Sequence, residues 1–145
     1  MKIVINSCYG GFGLSPRVLK LYYEKLNKPC YFLKRNYNST VLNDDGSTST
    51  YEPVLAEELD KKDYWIASSI PNGTREDLFG KNHISCRGVD RADPLLIEAI
   101  EEIGIENAGQ RHSKLKIIEI PDWIEYTVEE YDGMEHVAEK HRTWN

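Results

Sequence analysis

The segment after Ser15 repeats its apolar residues with the period of an α-helix. The apolar positions are Leu19, Tyr22, Tyr23 and Leu26, which share one helical face. Ser15 offers a side-chain acceptor to the first free N–H groups, and Pro16 fits the first helical position. The pattern predicts a helix over residues 16–27 with one buried face.

A second helix is predicted over residues 94–103. Asp93 is its expected cap, Pro94 its first residue and Gly104 its end. Its apolar stripe consists of Leu96, Ala99, Ile100 and Ile103. A single helical turn is expected near residues 57–62.

Short β-branched or alternating runs predict six strands. They cover residues 2–6, 30–33, 64–68, 115–120, 123–131 and 134–140. Asp132-Gly133 between the last two indicates a β-hairpin, and residues 43–46 predict a turn at the tip of a hairpin or excursion. The first strand, first helix and second strand suggest a right-handed parallel crossover. Together the elements predict an α+β fold, with a mixed α/β fold left open.

The expected architecture is a single domain over residues 1–145, with a mixed sheet, two main helices and a C-terminal hairpin.

A net charge of −6 argues against general nucleic-acid binding, because that needs a cationic face. No apolar run approaches the ~20 residues of a membrane span, and the N-terminus turns polar too soon for a signal peptide. Three separated cysteines, Cys8, Cys30 and Cys86, favour a reducing, cytosolic setting.

A glycine-rich loop links the first strand to the first helix. Gly10, Gly11 and Gly13 leave its backbone bare, and a helix N-terminus attracts anions. Pro16 replaces the third glycine of a dinucleotide fingerprint, and no Gly-Lys-Ser/Thr follows, so no familiar cofactor is expected. A generic phosphate cradle remains, and a tight turn with Phe12 packed inward is the alternative.

Cys8, near that helix start, could serve as a nucleophile. The four histidines that could act as its base are distant in sequence, and a structural cysteine is the simpler interpretation; they are His83, His112, His136 and His141. His83-x-x-Cys86 is only half a zinc motif, so no metal site is predicted.

Arginines and aromatic residues complete the candidate site. Arg87 and Arg91 precede the second helix and could bind phosphate, or could pair with Asp90, Asp93 or glutamates of the C-terminal hairpin. Near the C-terminus, Arg142 could bind phosphate while Trp144, with Tyr9 and Phe12, stacks on a base. Alternatively, Trp144 covers a core edge or fills a subunit interface.

The sequence resembles a small family of uncharacterised proteins encoded by phages and prophages. The matching residues are 4–15, 91–94, 115–121 and 130–144, including NSCYGGFGLS and EYDGMEHVAEKHRTW. The resemblance implies an accessory phage protein that acts in the host cytoplasm. Such proteins often bind or block a host component. One class sequesters nucleotide immune signals, such as cyclic ADP-ribose-type molecules, without turnover.

The leading hypothesis is therefore a non-enzymatic, homo-oligomeric protein that binds a small nucleotide-derived anion, with no cofactor, metal or membrane. The expected ligand-binding residues are Cys8, Tyr9, Gly10, Gly11, Phe12, Gly13, Ser15, Arg87, Arg91, Arg142 and Trp144. One alternative is a hydrolase or transferase with Cys8 as nucleophile. The other is a protein inhibitor of a host enzyme, whose acidic surface imitates nucleic acid.

Overall fold

The computed structural model describes residues 1–36, 50–61 and 65–140. The helices are α1 (Pro16–Lys25), α2 (Arg75–Phe79), α3 (Pro94–Ile103) and α4 (Ile105–Ala108), with a 3-10 helix at Ala56–Lys61. The strands are β1 (Lys2–Asn6), β2 (Tyr31–Asn36), β3 (Thr50–Pro53), β4 (Ile66–Ser68), β5 (Gly73–Thr74), β6 (Leu115–Glu119), β7 (Tyr126–Tyr131) and β8 (Met134–Glu139). The predicted turn at 43–46 lies outside the described residues.

The described strands form three sheets. β1 pairs with β6, β7 pairs with β8, and the third sheet has the order β4-β2-β3-β5. Every one of these pairs is antiparallel. The predicted α+β class and the C-terminal hairpin are confirmed.

The predicted parallel crossover is wrong, because β1 and β2 lie in different sheets. β6 occupies one edge of β1, from Lys2 opposite Glu119 to Asn6 opposite Leu115. On the other edge, Val4 N donates to the Arg91 carbonyl at 3.0 Å. β1 therefore has no free edge for a parallel neighbour.

The two main helices begin where their caps predict. Ser15 Oγ accepts from Val18 N at 3.4 Å, and Asp93 Oδ1 accepts from Leu95 N at 2.9 Å. α1 packs against α3, and the Tyr22 hydroxyl joins them by donating to Asp93 Oδ2 at 2.6 Å. No helix among the described residues is long and apolar enough to cross a membrane.

The core lies between these helices and β1, whose residues Ile3, Val4 and Ile5 are buried. Val4 belongs to the main apolar cluster with side chains of α1 and α3. β8 lies against β1, and a cavity of ≈ 290 Å³ between them is lined by Ile5 and Val137. The C-terminal hairpin is therefore docked against the central ribbon of β1 and β6.

The turn of this hairpin meets the glycine-rich loop, and that contact predicts unequal effects of two glycine substitutions. Gly133 and Gly11 have nearly the same backbone angle, φ +87° and +86°. A Cβ at Gly133 would lie 2.4 Å from the Tyr9 carbonyl oxygen, whereas none of the described residues lies within 4 Å of a Cβ at Gly11. We expect Gly11→Ala to lower the free energy of unfolding by about 1–2 kcal/mol through strain alone.

Gly133→Ala should lower the free energy of unfolding by ~1–3 kcal/mol more than Gly11→Ala does, because the added methyl group has no space. Urea unfolding of both variants measures the difference. Equal losses would contradict the close approach of Gly133 to the loop.

Candidate functional site

The glycine loop, residues 7–14, is held along its length by residues 108–114. Ser7 N donates to the Lys114 carbonyl at 2.7 Å, and Ser113 Oγ donates to the Gly11 carbonyl at 2.8 Å. A Cβ at Gly10 would lie 1.6 Å from the His112 carbonyl oxygen. Gly10 is therefore required by close packing between two backbone segments.

Asn6 ties this loop to the hairpin. Its Nδ2 donates to the carbonyls of Cys8 at 2.6 Å and Gly133 at 2.8 Å. Its Oδ1 accepts from Lys114 N at 2.9 Å and from the Cys8 thiol at 3.3 Å. All four hydrogen-bonding positions of this fully buried amide are thus occupied.

The N-terminus of α1 is buried against neighbouring residues of the chain. Ser15 is 2% exposed, and its N–H donates to the Ala108 carbonyl at 2.8 Å. Beside it lies a cavity of ≈ 290 Å³, lined in part by Arg17 and Asp60. These two residues form an ion pair, with Nη2 and Oδ2 3.1 Å apart. An anion at this helix start would compete with the carboxylate of Asp60.

Arg91 forms the second centre of the site. Its guanidinium makes two parallel hydrogen bonds to Glu135, at 2.8 and 2.9 Å. Its Cζ stands 3.5 Å from the centroid of the Phe12 ring, and its Nη1 also donates to the Val4 carbonyl at 3.3 Å. Of the partners left open for this arginine, a glutamate of the C-terminal hairpin is the one observed.

The carboxyl group of Glu135 is ionised although it is largely buried. Its side chain is 7% exposed, and burial by itself favours the neutral form. Hydrogen bonds from Arg91 and from Asn6 N, the latter at 2.8 Å, outweigh burial and hold the pKa of Glu135 below its ordinary value. The carboxylate therefore joins the end of β1 to Arg91.

A cavity of ≈ 220 Å³, which we call the arginine cavity, opens beside this pair. It brings together Phe12, Arg87 and Arg91 from the predicted set. Its lining residues are Phe12, Ser85, Cys86, Arg87, Arg91, Glu130 and Glu135. Arg87 is exposed and has no ion pair with a described residue. The cavity therefore offers one available guanidinium, one guanidinium held by a carboxylate, and an aromatic ring.

The other predicted residues are dispersed. Ser15 lines the separate cavity near Arg17, and Tyr9 is 65% exposed. Arg142 and Trp144 lie outside the described residues. The structure therefore places Ser15 in a different cavity from Arg87 and Arg91.

The Cys8 sulfur contacts two oxygens, Asn6 Oδ1 at 3.3 Å and the His112 carbonyl at 3.2 Å. The thiol has one hydrogen, which these two oxygen acceptors share. Burial raises the pKa of the other two thiols, to about 12 for Cys30 and in the same direction for Cys86. The described residues contain no group of three His, Cys, Asp or Glu side chains that could hold a metal ion.

Sequence reasoning did not single out Asn6 or Glu135. Asn6 ends an apolar strand just before the glycine loop, which is a usable signal for a buried amide that stabilises a turn. Glu135 is one of several glutamates in the hairpin, and only the docking of β8 against β1 distinguishes it.

Comparisons with family models, curated proteins and solved structures found no match.

The charge of Glu135 predicts a pH-dependent part of the stability. Because its pKa is lowered in the folded state, its contribution is present above the unfolded value near 4.5 and is lost as the pH falls through the folded pKa. Glu135→Gln should lower the free energy of unfolding at pH 7 by about 1–3 kcal/mol, since Arg91 loses a charged partner.

Urea titrations between pH 3 and pH 7 measure this effect. The difference between wild type and variant should shrink on acidification. Glu139→Gln, an exposed glutamate of the same strand, is the control and should change little. A difference between wild type and Glu135→Gln that does not change with pH would contradict the assignment.

Proposed function

We propose that this chain is a non-enzymatic binding protein for a small, phosphate-bearing, nucleotide-derived anion held at the arginine cavity. The observation that carries the proposal is the meeting of Phe12, Arg87 and Arg91 at one cavity. A guanidinium binds two phosphate oxygens at once, which gives both attraction and orientation. The Phe12 ring at the same cavity offers an apolar contact for the sugar of such a ligand.

Arg87 and Arg91 have different roles in this proposal. Arg87 supplies the available charge. Arg91 is already neutralised by Glu135, so it offers a planar surface over Phe12 and little further attraction. Glu130 and Glu135 in the wall repel a highly charged ligand, which favours one or two phosphates over a polyphosphate.

The size of the cavity limits what it holds. Its ≈ 220 Å³ is below the ~300–1,000 Å³ of pockets that enclose a whole ligand. The cavity therefore takes the phosphate end, and the base extends beyond it. The proposed partners for the base are Tyr9, Trp144 or a neighbouring subunit of a homo-oligomer, and Arg142 is a further proposed partner for the phosphate.

The resemblance to phage proteins supplies the biological setting of the proposal. In that setting the ligand is a nucleotide immune signal of the host, such as a cyclic ADP-ribose-type molecule, and binding removes it from use. The same setting favours retention of the ligand without turnover, in which the Cys8 thiol, held on two oxygen acceptors, is part of the loop structure. A catalytic thiol would need a base in hydrogen-bond reach.

Thermal-shift measurements with linear and cyclic nucleotides test the proposal. A ligand at 100 times its Kd adds about 2.7 kcal/mol of stability, or roughly 5–10 °C in Tm for a chain of this size. Arg87→Gln should reduce the shift, because it removes the available guanidinium of the arginine cavity. Arg111→Gln, an exposed arginine outside the cavity lining, is the matched control and should retain it.

A panel without any shift, or an equal shift in Arg87→Gln and wild type, would count against the proposal. Recovery of the bound nucleotide unchanged after heat denaturation separates retention from cleavage. A cleaved product would favour the Cys8 enzyme alternative, which Cys8→Ser then tests.

A further inference from the structure

A second surface carries aromatic and cationic side chains that are not part of the arginine cavity. It consists of Tyr51 of β3, Arg75 and Phe79 of α2, and His83, and we call it the aromatic surface. Phe79 is 49% exposed, although its neighbour Leu78 is fully buried. Leu78 is thus the residue of the short helix that is buried in the core, while about half of the Phe79 side chain is open to solvent.

Three side chains converge on this ring. His83 lies nearly parallel to it, with 6.0 Å between centroids and 18° between planes. Tyr51 meets it edge-on at 6.0 Å and 72°. The Arg75 Cζ lies 5.6 Å from the Phe79 centroid, one helical turn before it. The result is an offset stack of two rings with a cation and a third ring beside it.

Local hydrogen bonds hold these side chains in place. A capping box between Thr74 and Asp77 fixes the start of α2. Asn82 Nδ2 donates to the Asp77 carbonyl at 2.8 Å and so ties the following loop to the helix. His83 itself forms a β-bridge with Ser68 at the end of β4. The stack is therefore built before any ligand arrives, which lowers the entropy cost of binding.

We propose that the aromatic surface binds a nucleobase by stacking. A parallel pair of rings is extended by a third planar ring, and His83 is exposed at the end of this pair. Any base can stack in this way, because each has a π-face. Two acidic residues, Glu76 and Asp77, follow Arg75 in the sequence and outweigh its charge, so in this proposal the base supplies most of the affinity. The base can come from a free nucleotide or from single-stranded nucleic acid.

The full-length protein is tested with two probes, AMP by calorimetry and a fluorescein-labelled single-stranded DNA decamer by anisotropy. Phe79→Leu keeps an apolar side chain but removes the ring, and it should weaken binding at least about tenfold. Trp123→Leu is the control, since Trp123 is 81% exposed and lies outside the aromatic surface. It should bind as the wild type does. His83→Ala should weaken binding as well, and serves if Phe79→Leu does not fold.

Dependence of both probes on Phe79 would identify a base from any source, and dependence of the decamer alone would identify single-stranded nucleic acid. The proposal is overturned if the wild type binds neither probe, even if it captures a protein partner. It is also overturned if Phe79→Leu binds as tightly as wild type. Each probe is also measured with Arg87→Gln, and only the binding that is lost in Phe79→Leu but kept in Arg87→Gln is assigned to the aromatic surface, since binding at the arginine cavity depends on Arg87.

Discussion

The buried amide of Asn6 is the contact on which the arrangement of this chain depends. Its four hydrogen bonds join the glycine loop, residues 108–114 and the turn of the C-terminal hairpin. Leaving a single buried partner unsatisfied costs about 1–3 kcal/mol. An aspartate could not donate, and a leucine could do neither, so only an amide of this size satisfies all four partners. Asn6 and Gly133 are 127 residues apart in the sequence, so this contact joins the N-terminal strand to the turn of the C-terminal hairpin.

Arg91 connects that arrangement to the candidate site. Its carbonyl and side chain close the outer edge of β1, and the same guanidinium covers Phe12 and lines the arginine cavity. The strong bidentate pair with Glu135 fixes the orientation of the guanidinium before a ligand binds. That pair also reduces its attraction for an anion, so the exposed Arg87 determines whether the cavity is a phosphate site. In the proposed site, Arg91 therefore contributes mainly to stability and Arg87 mainly to the attraction of the ligand.

Sequence patterns predicted those structural features that depend only on residues close together in the chain. The caps at Ser15 and Asp93 and the turn at Asp132-Gly133 act through neighbouring residues, and the structure has each of them. The partner of β1 lies more than 100 residues away, so the strand order of the N-terminal part was not predictable from short-range pattern.

The candidate site shows the same limit. Glycines that permit a phosphate cradle and glycines that permit backbone packing look alike in a sequence. Gly10 is explained by the carbonyl of His112, a contact that no local pattern contains. Arg91 and Phe12 were both expected at the site, but their stacking and the selection of Glu135 as the partner depend on how the hairpin docks. Three residues expected at the site, Phe12, Arg87 and Arg91, thus line one cavity, whereas the sequence left open which acidic residue pairs with Arg91.

Both proposed sites place an arginine over a phenylalanine, Arg91 over Phe12 and Arg75 over Phe79. In a chain with a net charge of −6 this is a physically reasonable way to bind nucleotides. Repulsion from distant carboxylates is screened beyond ~8 Å at physiological salt, so the nearest groups decide the affinity of each site. Near the rings those groups include glutamates and an aspartate, which penalise a long phosphate backbone far more than a single phosphate. Aromatic stacking does not depend on the charge of the ligand, so repulsion between carboxylates and phosphates does not weaken it. At the two proposed sites, the acidic neighbours would therefore favour small, planar, lightly charged ligands.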